Sequence, residues 1–355
     1  MTVQESVEAV PQPGAGVDLS NSVEVLQDRG LVAMARNDYA AAADCFALAD
    51  QLAPEDNDAP RRLLNRAIRQ LVPRWHFAML NDEERNQAYE KAISAAVRPG
   101  DIVLDIGTGT GLLALLAARA GAAQVISCEA EPLIAGAARQ IIAANGYEDR
   151  ITVVNCLSTD LRVGVDLPAR ADVLVTEIFD CALLGEHALP SLDHARAELL
   201  TDNARILPAK GRLWGQLVAS DRLRGHNHVS TACGFDVSTF NQFRSLEYFD
   251  VYLENYSHTP LSEPFPLLDL DFTAPCPPGR DVIKVLPTAQ GRSHAIAIWF
   301  ELDLGSGVTL SNGPAHHDTH WRQAVQTFDE PLVCEVGQPI ALEVRHDRER
   351  VLIVP

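Results

Sequence analysis

No run of eighteen or more apolar residues occurs in the 355-residue sequence, so no membrane-spanning helix is predicted. Basic residues are scarce: 29 Lys and Arg stand against 48 Asp and Glu, a net charge of −19. That deficit argues against a nucleic-acid partner and for a cationic one. The seven cysteines, at 45, 128, 156, 181, 233, 276 and 334, form no CxxC and no paired pattern. They predict neither a disulfide framework nor a thiolate metal site, and they suit a reducing compartment, the cytoplasm with the nucleus left open. No group of His, Cys and carboxylates has metal-ligand spacing, and no Ser or Cys nucleophile motif is present. The opening MTVQESVEAVPQPGAG lacks an apolar core and a basic flank, so no secretion signal is expected. What remains, with 47% hydrophobic and 22% charged residues, is a globular chain long enough for two domains and a smaller piece.

One stretch organises the rest. In DIVLDIGTGTG, residues 101–111, Ile102-Val103-Leu104 read as a buried strand that Asp105 closes. Gly107, Gly109 and Gly111 then open a helix starting at Leu112. Alternate glycines let a backbone approach a ligand, and a helix start offers unpaired N–H groups. A second strand, Val125 to Cys128, ends in Glu129, about twenty residues after the glycines, where an acid can accept ribose hydroxyls. The third glycine falls one position too early for the dinucleotide fingerprint. DxGxGxG followed by this acid resembles instead the S-adenosylmethionine pocket of class I methyltransferases, although a strand-to-helix turn beside a surface Glu would look similar.

Around that stretch the chain divides into segments. Residues 1–20 read as a disordered tail. From 21 to 71 two apolar-faced helices break at Arg36-Asn37-Asp38 and Pro54 to Asn57, and a third follows. Gly30, Tyr39, Ala42, Phe46, Ala49 and Pro54 resemble one tetratricopeptide unit, which serves either as a cap or as a partner-binding surface because a lone repeat cannot bury its own face. Arg74 to Val97 is a helical stretch carrying Asp82, Glu83 and Arg85, and an Arg there can bind a carboxylate bidentately. Residues 72–207 alternate strands and helices, which means a parallel sheet with ligands beyond the strands' carboxyl ends. The helix 131–144, with Pro132 in its first turn, ends at Asn145-Gly146. From 208 to 355 short strands at 214–218, 282–286, 295–302, 340–344 and 351–354 predict an antiparallel sandwich or barrel-like domain.

Glu177 follows the strand 172–176, and Glu186 stands nine residues on, in TEIFDCALLGEHALPS. Two carboxylates on an apolar loop over the pocket suit a planar guanidinium, which pairs N–H···O bonds in a way ammonium cannot. Two unrelated surface acids are the plainer alternative in so acidic a chain. Asp318-Thr319-His320-Trp321 sits in a loop before a strand, where a His and a Trp usually just pack.

Taken together, VLDIGTGTGLL, Glu129, TEIFDCALLGE and THW resemble the protein arginine methyltransferases over residues 74–355, and LVTEIFDCALLGEHALPSLDHA resembles the branch making monomethyl or symmetric dimethyl arginine. WHFAMLND and the tetratricopeptide-like unit are similar to the repeat-bearing member of that branch, whose relatives carry two modules where this chain has one. The resemblance implies S-adenosyl-L-methionine as cofactor, lined by Asp105, Gly107 and Gly109, with Glu129 on the ribose, Arg85 on the methionine carboxylate and Ser158 and Thr159 by the adenine. It implies that Glu177 and Glu186 grip the substrate guanidinium, that Met79 shapes that pocket, that His320 with Trp321 closes it, and that Asp82 pairs with His320. The proton lost on transfer would leave through Glu186 or the His320–Asp82 pair. A basic arginine-containing protein or peptide is the implied substrate and a head-to-tail homodimer the implied assembly, its arm falling in 222–249, where no helical arm is recognisable. Two alternatives stand beside it: a methyltransferase for a small guanidino compound, and an inactive scaffold working through the helical N-terminus.

Overall fold

The computed structural model describes residues 22–316 and 319–355, so the expected tail over 1–20 and Asp318 lie outside the described residues. The chain divides into two compact units between Arg74 and Trp75. The first is helical: α1 (Val23–Ala35), α2 (Tyr39–Leu52) and α3 (Ala59–Leu71). Ser22 caps α1 by accepting the Val25 N–H at 3.3 Å, and Asp38 caps α2 by accepting that of Ala41 at 3.1 Å. Ala42, Ala43, Phe46 and Ala67 make a small buried core. A Cβ on Gly30 would stand 2.4 Å from the Phe46 ring, so α1 can lie this close to α2 only because position 30 has no side chain.

The second unit begins with α4 (Trp75–Leu80) and α5 (Glu83–Ala96). One helical stretch was expected here, and the structure breaks it at Asn81-Asp82. The physical reason is a cap: Asp82 leaves helical geometry and its Oδ1 accepts the Arg85 N–H at 2.9 Å. There follow β1 (Ile102–Ile106), α6 (Leu112–Arg119), β2 (Gln124–Cys128), α7 (Pro132–Ala144), β3 (Ile151–Val154), β4 (Ala171–Thr176), α8 (Ala188–His194) and β5 (Leu200–Leu207). The five strands form a parallel sheet in the order β3-β2-β1-β4-β5. Its β-branched and Leu runs are buried on both faces, as in Val103-Leu104 and Val173-Leu174-Val175. The chain runs outward from β1 to β3 and returns to β4, so the order reverses between β1 and β4. A crevice opens at such a reversal, at the carboxyl ends of the two strands. Those ends carry Gly107 on one side and Glu177 on the other.

From Lys210 the strands are antiparallel. They are β6 (Lys210–Ala219), the short α9 (Asp221–Arg224), the hairpin β7 (Thr231–Ala232) and β8 (Phe235–Asp236), then β9 (Phe249–Val251), β10 (Thr259–Pro260), β11 (Phe265–Asp271), β12 (Gly279–Val285), β13 (Gly291–Gly305), β14 (Val308–Ser311), β15 (Gln323–Cys334), β16 (Ile340–His346) and β17 (Val351–Val354). A seven-stranded sheet is built on β6, β13 and β15, and β12-β16-β17 form a second sheet. The five strands read from sequence fall on β6, β12, β13, β16 and β17. The other seven strands of this region went unread, β15 because QAVQTFDEPLVC mixes Gln, Asp, Glu and Pro into its apolar pattern. Leu213, Ile298 and Phe300 share one continuous core with Val103, Leu104 and Leu174, which holds the antiparallel part rigidly against the parallel one. The segment 222–249 holds α9, the hairpin and a 3-10 turn, Ser238–Phe243. Among the described residues no helix is long and apolar enough to cross a membrane.

Candidate active site

The glycine turn after β1 is forced by its backbone. Gly107, Gly109 and Gly111 have φ of 86°, 51° and 85°, the left-handed region that a side chain disfavours. A Cβ on Gly107 would meet Ile178 Cγ2 at 2.7 Å, whereas one on Gly109 would find nothing nearer than the Met79 methyl at 3.9 Å. Gly109 therefore borders open space under α4. The Glu129 carboxylate reaches across from the end of β2: Oε2 accepts the Gly109 N–H at 3.0 Å and Oε1 that of Glu131 at 2.9 Å. This brings together the two sequence features that stand twenty residues apart.

Asp105 lies beneath the turn with no exposed surface. Its Oδ2 accepts the Ser127 hydroxyl at 2.6 Å, and its Oδ1 has no partner among the described residues. Burial pushes its carboxyl up to about 7, with the Ser127 bond opposing and the Glu129 charge adding to the rise. A buried carboxylate with an unused oxygen is costly unless a ligand supplies a donor. That orphaned oxygen, the open side of Gly109 and the Glu129 carboxylate fit a nucleoside carrying an amino acid. Ser158 is buried at the start of a 3-10 turn after β3. Thr159 is exposed and lines a separate concavity of about 900 Å³ with Arg162, Arg170, His194 and Glu198, which does not join it to Glu129.

The other wall is the loop after β4. Glu177 is 4% exposed, and its Oε2 accepts from Nε of the equally buried Arg85 at 2.6 Å. Arg85, expected from the resemblance to hold the cofactor carboxylate, thus spends one donor on Glu177 and another, from Nη1, on Asn86 at 2.7 Å. Its guanidinium also stands over the Tyr89 ring, 5.3 Å from the centroid. Burial still raises the Glu177 carboxyl above its usual range, with Arg85 and His320 pulling the other way.

His320 completes a chain of contacts. Its Nδ1 is 2.9 Å from Asp82 Oδ2, which also accepts its backbone N–H at 2.9 Å, and its Nε2 lies 4.0 Å from Glu177 Oε1. Burial works to raise the Asp82 carboxyl, but the His320 side chain and the two backbone donors outweigh it and hold it low. Trp321 packs its ring against His320 at 4.0 Å and donates from Nε1 to the Phe179 carbonyl at 3.3 Å. It is buried, so it supports the loop from below.

Glu186 sits at the far end of the loop with φ of 60°, followed by His187 at 58°, and Leu183 is at 68°. Three non-glycine residues in the left-handed region within five positions are strained, a feature concentrated at functional sites. Glu186, like His187, is exposed at the rim of the loop. Surrounding protein, then the Asp180 and Glu177 charges, push its carboxyl up to about 7. Asp180, Tyr248 and Asn312 all touch this loop and went unread in the sequence. Asp180 alone had a local signal, an Asp shortly before Ala182 and Gly185 able to cap their N–H groups.

Two family models match the chain: the ribosomal protein L11 methyltransferase over residues 87–188 and the arginine methyltransferase oligomerization subdomain over 219–352. Among relatives, the arginine N(omega)-methyltransferase of Streptomyces achromogenes subsp. streptozoticus is 47% identical over 277 residues, covering 78% of this chain and 77% of that protein. Protein arginine N-methyltransferase 7 of Cricetulus longicaudatus is 36% identical over 319 residues, covering 78% of this chain but 45% of that protein, so the chain spans under half of that longer relative. The fold is similar to that of a Trypanosoma brucei PRMT1 enzyme-prozyme heterotetrameric complex with AdoHcy, with a TM-score of 0.68 at 24% identity over 77% of this chain and 89% of that one.

Proposed function

The chain belongs to the arginine methyltransferase family, whose reaction draws on S-adenosyl-L-methionine, and from that premise we propose how its own residues carry the transfer. The observation that carries the proposal is the loop from Glu177 to Glu186. It holds one buried carboxylate locked to Arg85 and a second at the rim whose pKa of about 7 leaves it short of a cation. A guanidinium satisfies both through paired N–H···O bonds.

Asp105, Gly107, Gly109, Glu129 and Arg85 are the residues proposed to hold the cofactor. Ser158 is the adenine-side neighbour in this proposal, while the exposed, outward Thr159 contributes less. When bound, the cofactor supplies a methyl group on a positively charged sulfur. The protein's share is to place one guanidinium nitrogen toward that methyl and to make the nitrogen electron-rich. Glu177 and Glu186 draw positive charge onto the nitrogens they bind, leaving the third as nucleophile. Arg85 pulls the Glu177 carboxyl toward its ionised form against the effect of burial, and the Asp82–His320 pair lies against its other oxygen. With the methyl–sulfur bond breaking as the N–C bond forms, one N–H proton would have to leave the nitrogen, and Glu186, with its carboxyl near 7, is matched to accept it. Met79, on α4, limits the space beside the glycine turn.

The acceptor we propose is arginine in basic proteins or peptides, with monomethyl or symmetric dimethyl arginine as product. The net charge of −19 supports a cationic substrate. A second reading, with arginine itself as a small-molecule acceptor, is favoured by the relative that is 47% identical, whose name specifies arginine and not protein arginine. The assembly we propose is a homodimer. Its support is the oligomerization subdomain together with the exposed Phe235, Phe240 and Phe243 on the 222–249 segment, which forms an arm of hairpin and 3-10 turn. The N-terminal helices, read as one tetratricopeptide-like unit, are proposed to receive a partner, and seven free cysteines support a cytoplasmic setting.

The test incubates the protein with methyl-labelled S-adenosylmethionine and either an arginine-glycine-rich peptide or free arginine, with product identification by mass spectrometry. Label on peptide arginine is expected. Label on free arginine alone would replace the protein substrate with the small one, and label on neither would refute the guanidinium clamp.

A further inference from the structure

We infer that Asp180 is a positioning residue that holds the guanidinium-gripping loop in its working shape, braced from the barrel side by Tyr248 and Arg350. The inference rests on the clamp proposed above. One carboxylate oxygen, Asp180 Oδ1, accepts the N–H groups of Ala182 at 3.0 Å and Gly185 at 3.1 Å, tying both sides of the turn to a single point. The other, Oδ2, accepts the Tyr248 hydroxyl at 2.5 Å and faces Arg350 Nη1 at 3.8 Å. The turn closes tightly over this carboxylate: a Cβ on Gly185 would stand 2.6 Å from Asp180 Cγ. Directly beyond lie Glu186 and His187, both left-handed, and backbone of that kind persists only where its surroundings over-determine it.

The brace comes from two places remote in sequence. Tyr248 immediately precedes β9, one residue before the end of the 222–249 segment, and Arg350 precedes β17. Arg350 lies over the Tyr248 ring at 5.9 Å, with Nε 3.5 Å from Glu247 Oε2. The Tyr248 hydroxyl keeps its proton for Asp180, since burial and the Asp180 charge raise its pKa well above the usual tyrosine range. Asp180 also acts by charge. Glu186 is faced by the Asp180 and Glu177 carboxylates; Glu177 is faced in turn by Arg85, His320 and Asp82; and His187 pairs with Glu349 at 3.3 Å. After burial, the Asp180 charge is the largest cause of the raised Glu186 carboxyl. Shape and charge are therefore separable by substitution.

Tyr248→Phe removes the hydroxyl and keeps the Asp180 charge. Its KM for the acceptor should rise about tenfold through misplacement of Glu186, with cofactor affinity and the pH profile of kcat/KM unchanged. Asp180→Asn keeps a carbonyl oxygen for both N–H groups and removes the charge. Its acid limb should move down by about half a pH unit or more. Amide hydrogen exchange at Ala182 and Gly185 reads the brace without any acceptor, and it should accelerate in Asp180→Ala while the sheet strands stay protected. If Asp180→Ala fails to fold, the Tyr248→Phe and Asp180→Asn measurements still decide. Wild-type KM in Tyr248→Phe, an unmoved acid limb in Asp180→Asn, or unchanged exchange in a folded Asp180→Ala would each overturn the inference. A wild type that methylates no arginine acceptor would refute the proposed reaction and leave the exchange test standing.

Discussion

Arg85→Gln should destabilise the protein more than its loss of one contact suggests, because it strands Glu177. The two side chains are 3% and 4% exposed and 2.6 Å apart, so their attraction is about 6 kcal/mol at an effective dielectric near 20. Most of that offsets the desolvation of both charges. Removing one partner leaves the other's desolvation uncompensated, and the expected loss is about 3–5 kcal/mol. Glu177→Gln removes the buried charge as well, so the double variant Arg85→Gln/Glu177→Gln should be more stable than Arg85→Gln alone. The pH dependence has a definite sign. Glu177 already titrates above the usual carboxylate range because it is buried, and losing Arg85 raises it further. A carboxyl raised in the folded state contributes stability below the unfolded pKa that is lost as pH rises through the folded one. The gap between Arg85→Gln and wild type should accordingly be small near pH 4.5 and widen as pH rises. Urea unfolding of the four species at several pH values measures all of this. A double variant less stable than both singles, or a gap constant with pH, would refute the picture of a buried carboxylate that depends on Arg85.

Glu186 should set the acid limb of acceptor kcat/KM: its carboxyl titrates at about 7, is neutral below that pH and cannot pair with guanidinium, so activity should fall about tenfold per unit below it. Glu186→Gln should lower the plateau and abolish that limb, and a limb unchanged in the variant would move the titration to another group. Gly107→Ala puts a side chain at φ of 86° and 2.7 Å from Ile178, a strain of about 1–3 kcal/mol. Calorimetry with S-adenosylhomocysteine should show affinity weakened at least about tenfold, and wild-type affinity would mean the turn does not contact the cofactor.

Much of the parallel domain was legible because its signals are local. DIVLDIGTGTG carries a strand, three positive-φ glycines and a helix start within eleven residues, and Pro132 with Asn145-Gly146 brackets α7. The acid Glu129 could be placed by spacing alone, since strand, turn and helix lengths leave little freedom before the next strand end. The split between α4 and α5 was hidden because Asp82 serves a cap and a distant His at once, and only the local half of that is written nearby. Strand β15 was hidden for a related reason: its polar residues find partners outside their own sheet, as Gln326 does with the Ile353 backbone of β17 in the second sheet.

The sequence by itself determined the fold class and put the carboxylates of Glu129 and Glu177 at strand ends, because each rests on periodicity or on the length of a strand. Tertiary structure decided what those carboxylates meet. It paired Glu177 with Arg85, brought His320 to Asp82 across 238 positions, and set Tyr248 and Arg350 against Asp180. Such contacts depend on how two sheets pack around a shared core. That packing is the sum of many apolar contacts, none of which marks in the chain where its partner lies.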